Sequence, residues 1–248
     1  MPNRWDVKTY FQGNSYPGRG IIMGLDPGGK YGLVAYFLMG RSVNSRNRIF
    51  TQCGEGIKTQ AYDPALVEDP SLIIYHPVRV WGSNTIVTNG DQTDTIFAYL
   101  QRGESFAAAL RTRTYEPDAP NYTPRISGLA TLKEGKFSYR LSIIKKCPGE
   151  GRAVRRFFYE YEDPLPGEGH LIHTYKGDGN PLPSFGGEPV PLALGDAGAA
   201  FGQELWASLH RENKVALFVR YLHLATGKYQ SVIYNKLPDL GEQGRDGN

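Results

Sequence analysis

The chemistry this chain could perform begins with Arg41, Arg46 and Arg48, which lie close together with Asn44 and Asn47 in the run Arg41-Ser42-Val43-Asn44-Ser45-Arg46-Asn47-Arg48. A short connection between strands does not need so many planar donors. Guanidinium groups match phosphate or carboxylate oxygens two at a time, so the run is a phosphate-site candidate, although solubility alone also explains surface arginines. A second candidate is Thr88-Asn89-Gly90-Asp91-Gln92-Thr93-Asp94-Thr95, which leaves a strand through a glycine turn and enters a helix. Free amide groups and the helix dipole favour an anion there; plain capping by Thr93 or Asp94 is the alternative, and both stay open. The third is Tyr115-Glu116 with Arg125, a carboxylate beside tyrosines and an arginine, which suits acid–base work or a surface ion pair.

Other patterns are weaker. Gly24-Leu25-Asp26-Pro27-Gly28-Gly29-Lys30-Tyr31 approximates a phosphate-binding loop, but Tyr31 stands where Ser or Thr is needed, Pro27 lacks an amide N–H, and Leu33–Phe37 continues as strand. A hairpin turn is expected. His170 and His173 sit three apart on a predicted strand and so face opposite ways, which does not suit a shared metal. Lys145-Lys146 with Arg152, Arg155 and Arg156 beside Phe157, Phe158 and Tyr159 reads as a solvated basic face rather than a nucleic-acid surface.

These residues need elements to hold them. The 248 residues are 40% hydrophobic and 21% charged, which excludes the composition of a disordered chain and supports a sizeable core. No linker is visible, and residues 1–248 are expected to form one domain with a frayed tail at 238–248. Short segments rich in β-branched and aromatic residues, separated by Gly, Asn, Asp or Pro, predict strands at 21–25, 30–39, 48–52, 58–62, 77–81 and 85–88. A helix follows from Thr93 and ends at Gly103, and Ser105 caps a second through Leu110. Strands return at 137–144, 155–161 and 170–175, interrupted by loops at 163–169 and 177–191. A helix is expected over Leu192–His210, then a strand pair at 215–222 and 229–234. Strand blocks with helical inserts indicate α+β with antiparallel sheet, and the absence of βαβ alternation argues against Rossmann and P-loop folds.

A formal net charge of +3 does not describe a protein that coats nucleic acid, yet it permits an anionic small molecule. Cys53 and Cys147 have no paired spacing, so neither a zinc site nor a disulfide framework is expected, and a reducing cytoplasm fits. No stretch is long and apolar enough to span a membrane, and Met1–Asp6 carries no signal-like apolar run.

Gly18-Arg19-Gly20, Gly29-Lys30, Arg41-Ser42, Asn47-Arg48, Asp69-Pro70, Tyr75, Val78-Arg79-Val80, Asn89-Gly90, Thr93-Asp94-Thr95-Ile96, Tyr115-Glu116 and Thr123-Pro124-Arg125-Ile126 together resemble the archaeal-type IMP cyclohydrolase family, in order and near its spacing. The resemblance runs from Pro17 to about Ala130 and thins beyond. It implies a four-layer αββα, Ntn-hydrolase-like fold, with helices outside the antiparallel sheets. It also implies closure of a purine ribonucleotide ring, catalysed without cofactor or metal by Arg48, Tyr75 and Glu116. Asn47, Asn89, Gly90, Thr93, Asp94, Thr95 and Arg125 would bind the substrate. Asp91 and Gln92 stand where the family has Ser and His. The expected partner is a small purine ribonucleotide, with neither nucleic acid nor membrane; oligomeric state stays open. A noncatalytic nucleotide- or RNA-binding protein and an amide hydrolase on a similar fold are the alternatives.

Overall fold

The computed structural model describes residues 4–67, 74–149, 151–196 and 198–238. Two antiparallel sheets and a few helices make an α+β architecture. The first sheet contains β1 (Arg19–Leu25), β2 (Tyr31–Met39), β10 (Glu168–His173), β11 (Val190–Ala193), β12 (Lys214–His223) and β13 (Tyr229–Asn235), in the order β11-β10-β1-β2-β12-β13. The second contains β3 (Arg48–Cys53), β4 (Gly56–Ala61), β5 (Val78–Trp81), β6 (Asn84–Thr88), β7 (Arg125–Lys133), β8 (Lys136–Lys146) and β9 (Val154–Tyr161), paired in sequence order. The helices are α1 (Val7–Gln12), the single turn α2 (Val43–Arg46), α3 (Gln92–Gln101), α4 (Phe106–Arg111) and α5 (Ala199–Ser208).

The uninterrupted apolar run of β2 follows from its place between β1 and β12, where both faces are covered. One core unites the two sheets: Ile21, Met23, Val34, Tyr36 and Phe218 of the first cluster with Phe50, Val87, Ala130 and Leu141 of the second. The alternate residues Ile22, Leu33, Phe37 and Leu217 pack instead with Val7 and Phe11 of α1 and Phe201 and Leu205 of α5. In the second sheet Ile86, Leu129 and Ile144 pack with Ile96 of α3 and Phe106, Ala109 and Leu110 of α4. The edge strand β3 is tied to β13 by the Asn235 side chain, whose Oδ1 accepts from Phe50 N at 2.9 Å and whose Nδ2 donates to Phe50 O at 3.0 Å. An amide side chain thereby occupies backbone groups that an edge would otherwise expose.

The β1–β2 connection is the expected hairpin. Asp26 Oδ1 accepts from the amides of Lys30 and Tyr31, both at 2.7 Å, and Gly29 takes φ +64°, so the groups a phosphate loop would offer are used internally. Ser105 caps α4 as expected, its side chain accepting from Ala108 N at 3.1 Å.

Four expectations are corrected. The helix predicted over Leu192–His210 begins only at Ala199, because Val190–Ala193 pairs with β10 as β11 and Gly195 and Gly198 separate the two elements. Residues Glu168–Gly169 and Val190–Pro191, assigned to loops, lie in strands. The strand β7 was not anticipated from the sequence, nor was the α2 turn inside Arg41–Arg48. The α3 N-cap is Asp91, not Thr93 or Asp94, and its side chain makes no capping bond. The tail beyond Pro238 and the Asp69-Pro70 pair lie outside the described residues. Among the described residues no helix is long and apolar enough to cross a membrane.

Candidate active site

Arg48 is the first residue of β3, and strand alternation gives it the same face as Phe50, toward the core between the sheets. Its side chain is 1% exposed. Nε donates to Ser45 O at 3.0 Å, but Nη1 is buried with no hydrogen-bond partner among the described residues. Burial, then the charge of Arg19, lowers the Arg48 pKa, with Tyr75, Tyr36 and Tyr16 opposing. Arg19 opens β1 on the face that carries Ile21 and Met23, and its Nε is likewise buried and unpartnered. Burial disfavours the Arg19 charge, yet Glu116 and the tyrosines Tyr175, Tyr16 and Tyr75 hold its pKa well above the usual arginine value. Two guanidinium groups with unused buried N–H donors in one electrostatic cluster are costly unless something anionic or electron-rich meets them.

Tyr75 joins them from the segment before β5. Its backbone is pinned to β4, with Tyr75 N donating to Thr59 Oγ1 at 2.9 Å and Tyr75 O accepting from Thr59 N at 2.9 Å. Its hydroxyl meets Tyr36 OH at 2.8 Å, both buried. Burial raises the Tyr75 pKa while Arg48 and Arg19 pull it down, so at neutral pH the phenol is a neutral donor.

Glu116 follows α4, and its backbone N donates to Thr123 O at 3.0 Å. It is 6% exposed, and Asn89 Nδ2 lies 3.4 Å from Oε1. Burial pushes its carboxyl above the ordinary glutamate range, against the pull of Arg19, Arg125 and Arg48. A buried carboxyl raised in pKa beside cations is suited to carry a proton in either direction.

The predicted binding residues divide. Asn89 is fully engaged: Nδ2 donates to Pro124 O at 2.9 Å, and Oδ1 accepts from Gln92 Nε2 and Ile126 N, each at 2.9 Å. Gly90 is a close approach, since a Cβ there would stand 2.7 Å from Arg125 Nη1 and 3.5 Å from Glu116 Oε1. Arg125 is buried at the start of β7, its Nη1 2.6 Å from Gln92 Oε1 and 2.7 Å from Asp91 Oδ1, with Nε unpartnered. These three adjoin Glu116. The other four use their side chains elsewhere. Asn47 exchanges 2.7 Å bonds with the backbone O and N of Asp63, Thr93 Oγ1 donates to Gly90 O at 3.0 Å, Asp94 pairs with Arg79 at 2.7 Å, and Thr95 accepts from Arg113 at 3.3 Å. Arg41 pairs with Asp178, and Arg46 donates to Gly40 O and Asn213 Oδ1, so of the three arginines in this run Arg48 alone joins the cluster.

The residue missed in the sequence is Arg19. The available signal was a charge in register with Ile21 and Met23 on an otherwise apolar strand face, between Gly18 and Gly20. A Cβ at Gly18 would stand 2.2 Å from Thr174 Oγ1, and one at Gly20 2.1 Å from the Phe37 ring, so both glycines permit close packing around it. His170 and His173 do face opposite ways, toward Tyr139 and Tyr10 respectively.

A guanidinium pair, a phenol and a protonatable carboxyl drawn from both sheets can hold an electron-rich planar substrate and stabilise charge developing on one of its oxygens. The family described as IMP cyclohydrolase-like protein matches residues 16–227, a span that contains every member of this cluster. The chain belongs to that family. An IMP cyclohydrolase of Methanothrix thermoacetophila is 29% identical over 148 residues, 57% of this chain and 68% of the relative. The family match extends well past Ala130, where the sequence resemblance became thin, and includes β8 to β12.

Proposed function

We propose that the protein closes the purine ring of 5-formamidoimidazole-4-carboxamide ribonucleotide to give IMP, as one domain acting in purine biosynthesis in the cytoplasm. The observation that carries this reading is the pair of buried guanidinium groups with unpartnered N–H donors, Arg19 and Arg48, beside Tyr75 and Glu116. The helices packed on the outer sides of the two sheets also support an Ntn-hydrolase-like αββα arrangement.

In this reading the carboxamide nitrogen attacks the formyl carbon of the same molecule, forming one C–N bond. A carboxamide is a poor nucleophile, so alignment supplies much of the rate, and the ribose phosphate is a remote handle for holding the substrate. As the bond forms, the formyl oxygen gains negative charge, which Arg48, Arg19 and the Tyr75 hydroxyl stabilise. Glu116 takes the proton leaving the carboxamide nitrogen and gives it to the oxygen, making a hydroxyl. The formamide nitrogen then loses its N–H proton and forms the ring C=N bond as the C–O bond breaks, and that second proton completes the departing water, with no electrons exchanged with a second reactant. Asn89 and Gly90 position Glu116, while Arg125 contributes its remaining donor to the substrate. Asn47, Thr93, Asp94 and Thr95 shape the surrounding backbone.

The test is a spectrophotometric assay with the formylated ribonucleotide. Conversion to IMP at a rate unchanged by chelator is expected. Absence of turnover in folded protein, or activity abolished by chelator and restored by one metal, would overturn the reading.

A further inference from the structure

Beside the segment that carries Glu116 lies a cavity of about 510 Å³, walled by Tyr115, Pro117 and Tyr122, by Lys146 at the end of β8 and by Arg152 just before β9. We infer that this cavity binds a small aromatic anion of the nucleoside monophosphate class, at a site separate from the one built on Arg19, Arg48 and Glu116. The volume falls in the range of about 300–1,000 Å³ usual for small-molecule sites. Among its described lining residues the charges are those of Lys146 and Arg152. Lys146 Nζ donates to a backbone carbonyl, Gly149 O at 2.7 Å, and lies 5.2 Å from the centre of the Tyr122 ring. Two positive charges match a phosphomonoester dianion.

The aromatic half of the ligand is met by Tyr115 and Tyr122, whose rings stand at 82° with centres 5.6 Å apart and form a corner in which a flat base stacks on one ring and abuts the other. Tyr122 holds its place with φ +45°, a backbone region unfavourable for a residue with a side chain. Two of the neighbouring basic residues are engaged elsewhere. Lys145 donates to Phe185 O, and Arg156 donates to Leu110 O and Arg113 O. That arrangement favours a ligand with one phosphate over a polynucleotide.

The same short segment serves both sites. Tyr115, Pro117 and Tyr122 line the cavity, while Glu116 and Thr123, each the residue after one of the tyrosines, are buried, joined by the bond from Glu116 N to Thr123 O, and Thr123 Oγ1 lies 2.5 Å from Tyr175 OH. A ligand that fixes the two tyrosines therefore restrains the backbone that presents Glu116, and its occupancy alters turnover.

The experiment is calorimetric titration with AMP, with and without saturating IMP, on the wild type and on Lys146→Gln, Arg152→Gln and Tyr115→Leu. One AMP site is expected in both conditions, weakened at least tenfold in each variant, with adenosine and inorganic phosphate each binding more weakly than AMP. Titration needs no turnover, so failure of the cyclohydrolase reading and failure of this one are separately visible. The inference is overturned if folded protein takes up no AMP at millimolar concentration, if IMP displaces it one for one, if the variants bind AMP as the wild type does, or if a single-stranded oligonucleotide binds more tightly than AMP and loses that affinity steeply with salt.

Discussion

Replacing Tyr75 by Phe removes one oxygen and strands another. The Tyr75 and Tyr36 hydroxyls meet at 2.8 Å in a buried setting, and Tyr36 is held in place by its stacking on Phe50 at 5.7 Å between ring centres. In Tyr75→Phe the Tyr36 hydroxyl stays buried without that partner, which costs about 1–3 kcal/mol of stability. For a chain of this size that is a fall in Tm of about 2–4 °C per kcal/mol. Tyr36→Phe strands Tyr75 in the same way and should cost a similar amount. The double variant removes both polar groups and should recover to within about 1 kcal/mol of the wild type, because replacing both partners by apolar groups of similar shape is nearly neutral. Turnover follows a different pattern. If Tyr75 donates to the oxygen that gains charge, Tyr75→Phe loses a factor of about 10²–10³, the usual effect of removing one such donor, and the double variant stays equally slow although its stability returns. Tyr36→Phe keeps turnover within about tenfold of wild type, since the Tyr75 hydroxyl remains. The assay is a double-mutant cycle read twice, by urea unfolding and by kcat. Recovery of kcat together with stability in the double variant would refute the donor role and leave Tyr75 as a packing residue.

Glu116→Gln should lower kcat by about 10²–10⁴ with substrate affinity largely kept, and near-normal kcat would remove its proton-transfer role. The rate should fall at low pH through an acid limb lying above the ordinary glutamate range, because the Glu116 carboxyl is raised; a pH–rate profile of the wild type checks the position of the limb. Arg48→Lys keeps the charge and loses the planar fork, so a fall in kcat indicates charge stabilisation, whereas a rise in KM alone assigns Arg48 to the phosphate. Burial lowers the His173 pKa to about 4 from 6.5, while Nε2 meets Tyr10 OH and Nδ1 meets Tyr175 O, both at 2.7 Å. A depressed pKa means stability that is present above pH 6.5 and lost as pH falls toward 4, by about 3 kcal/mol in all; urea unfolding at pH 7 and pH 4.5 should show the loss in the wild type and a smaller one in His173→Gln.

Much of the fold was legible because many strands carry strong local signatures, with turns marked by Gly, Asn, Asp and Pro. The strand β7 was not, for a packing reason. Its face toward the first sheet holds Gly128, where a Cβ would stand 2.5 Å from Met23 Cε, so close sheet contact demands small residues and erases the β-branched signature. The helix boundary at Leu192 failed because apolar residues continue at helical spacing from Leu194 to Leu209, while β10 recruits the first four residues from Val190 as a strand. Pairing partners distant in sequence decided that segment, and local pattern does not contain them. The α3 cap failed for a related reason: Asp91 is drawn to Arg113 at 2.5 Å and Arg125 at 2.7 Å, and so does not cap its own helix.

That diversion of Asp91 bears directly on the chemistry. Asp91 and Gln92 replace the Ser and His expected at this turn, and both bind Arg125, which is thereby neutralised by a neighbour even as burial opposes the Asp91 charge and Arg125 and Arg113 lower its pKa. A neutralised arginine contributes less field to Glu116 than a free one. The positive field acting on Glu116 then rests chiefly on Arg19, the first cation in the balance of its carboxyl, which comes from the opposite sheet. Arg19 is thus the residue whose placement makes the cluster a single electrostatic unit, and its assignment required the charge coupling between Arg19 on β1 and Glu116. Local setting located the carboxylate and one arginine, and the family resemblance the phenol; Arg19, which that resemblance includes within Gly18-Arg19-Gly20, acquired a role only when two sheets were brought face to face.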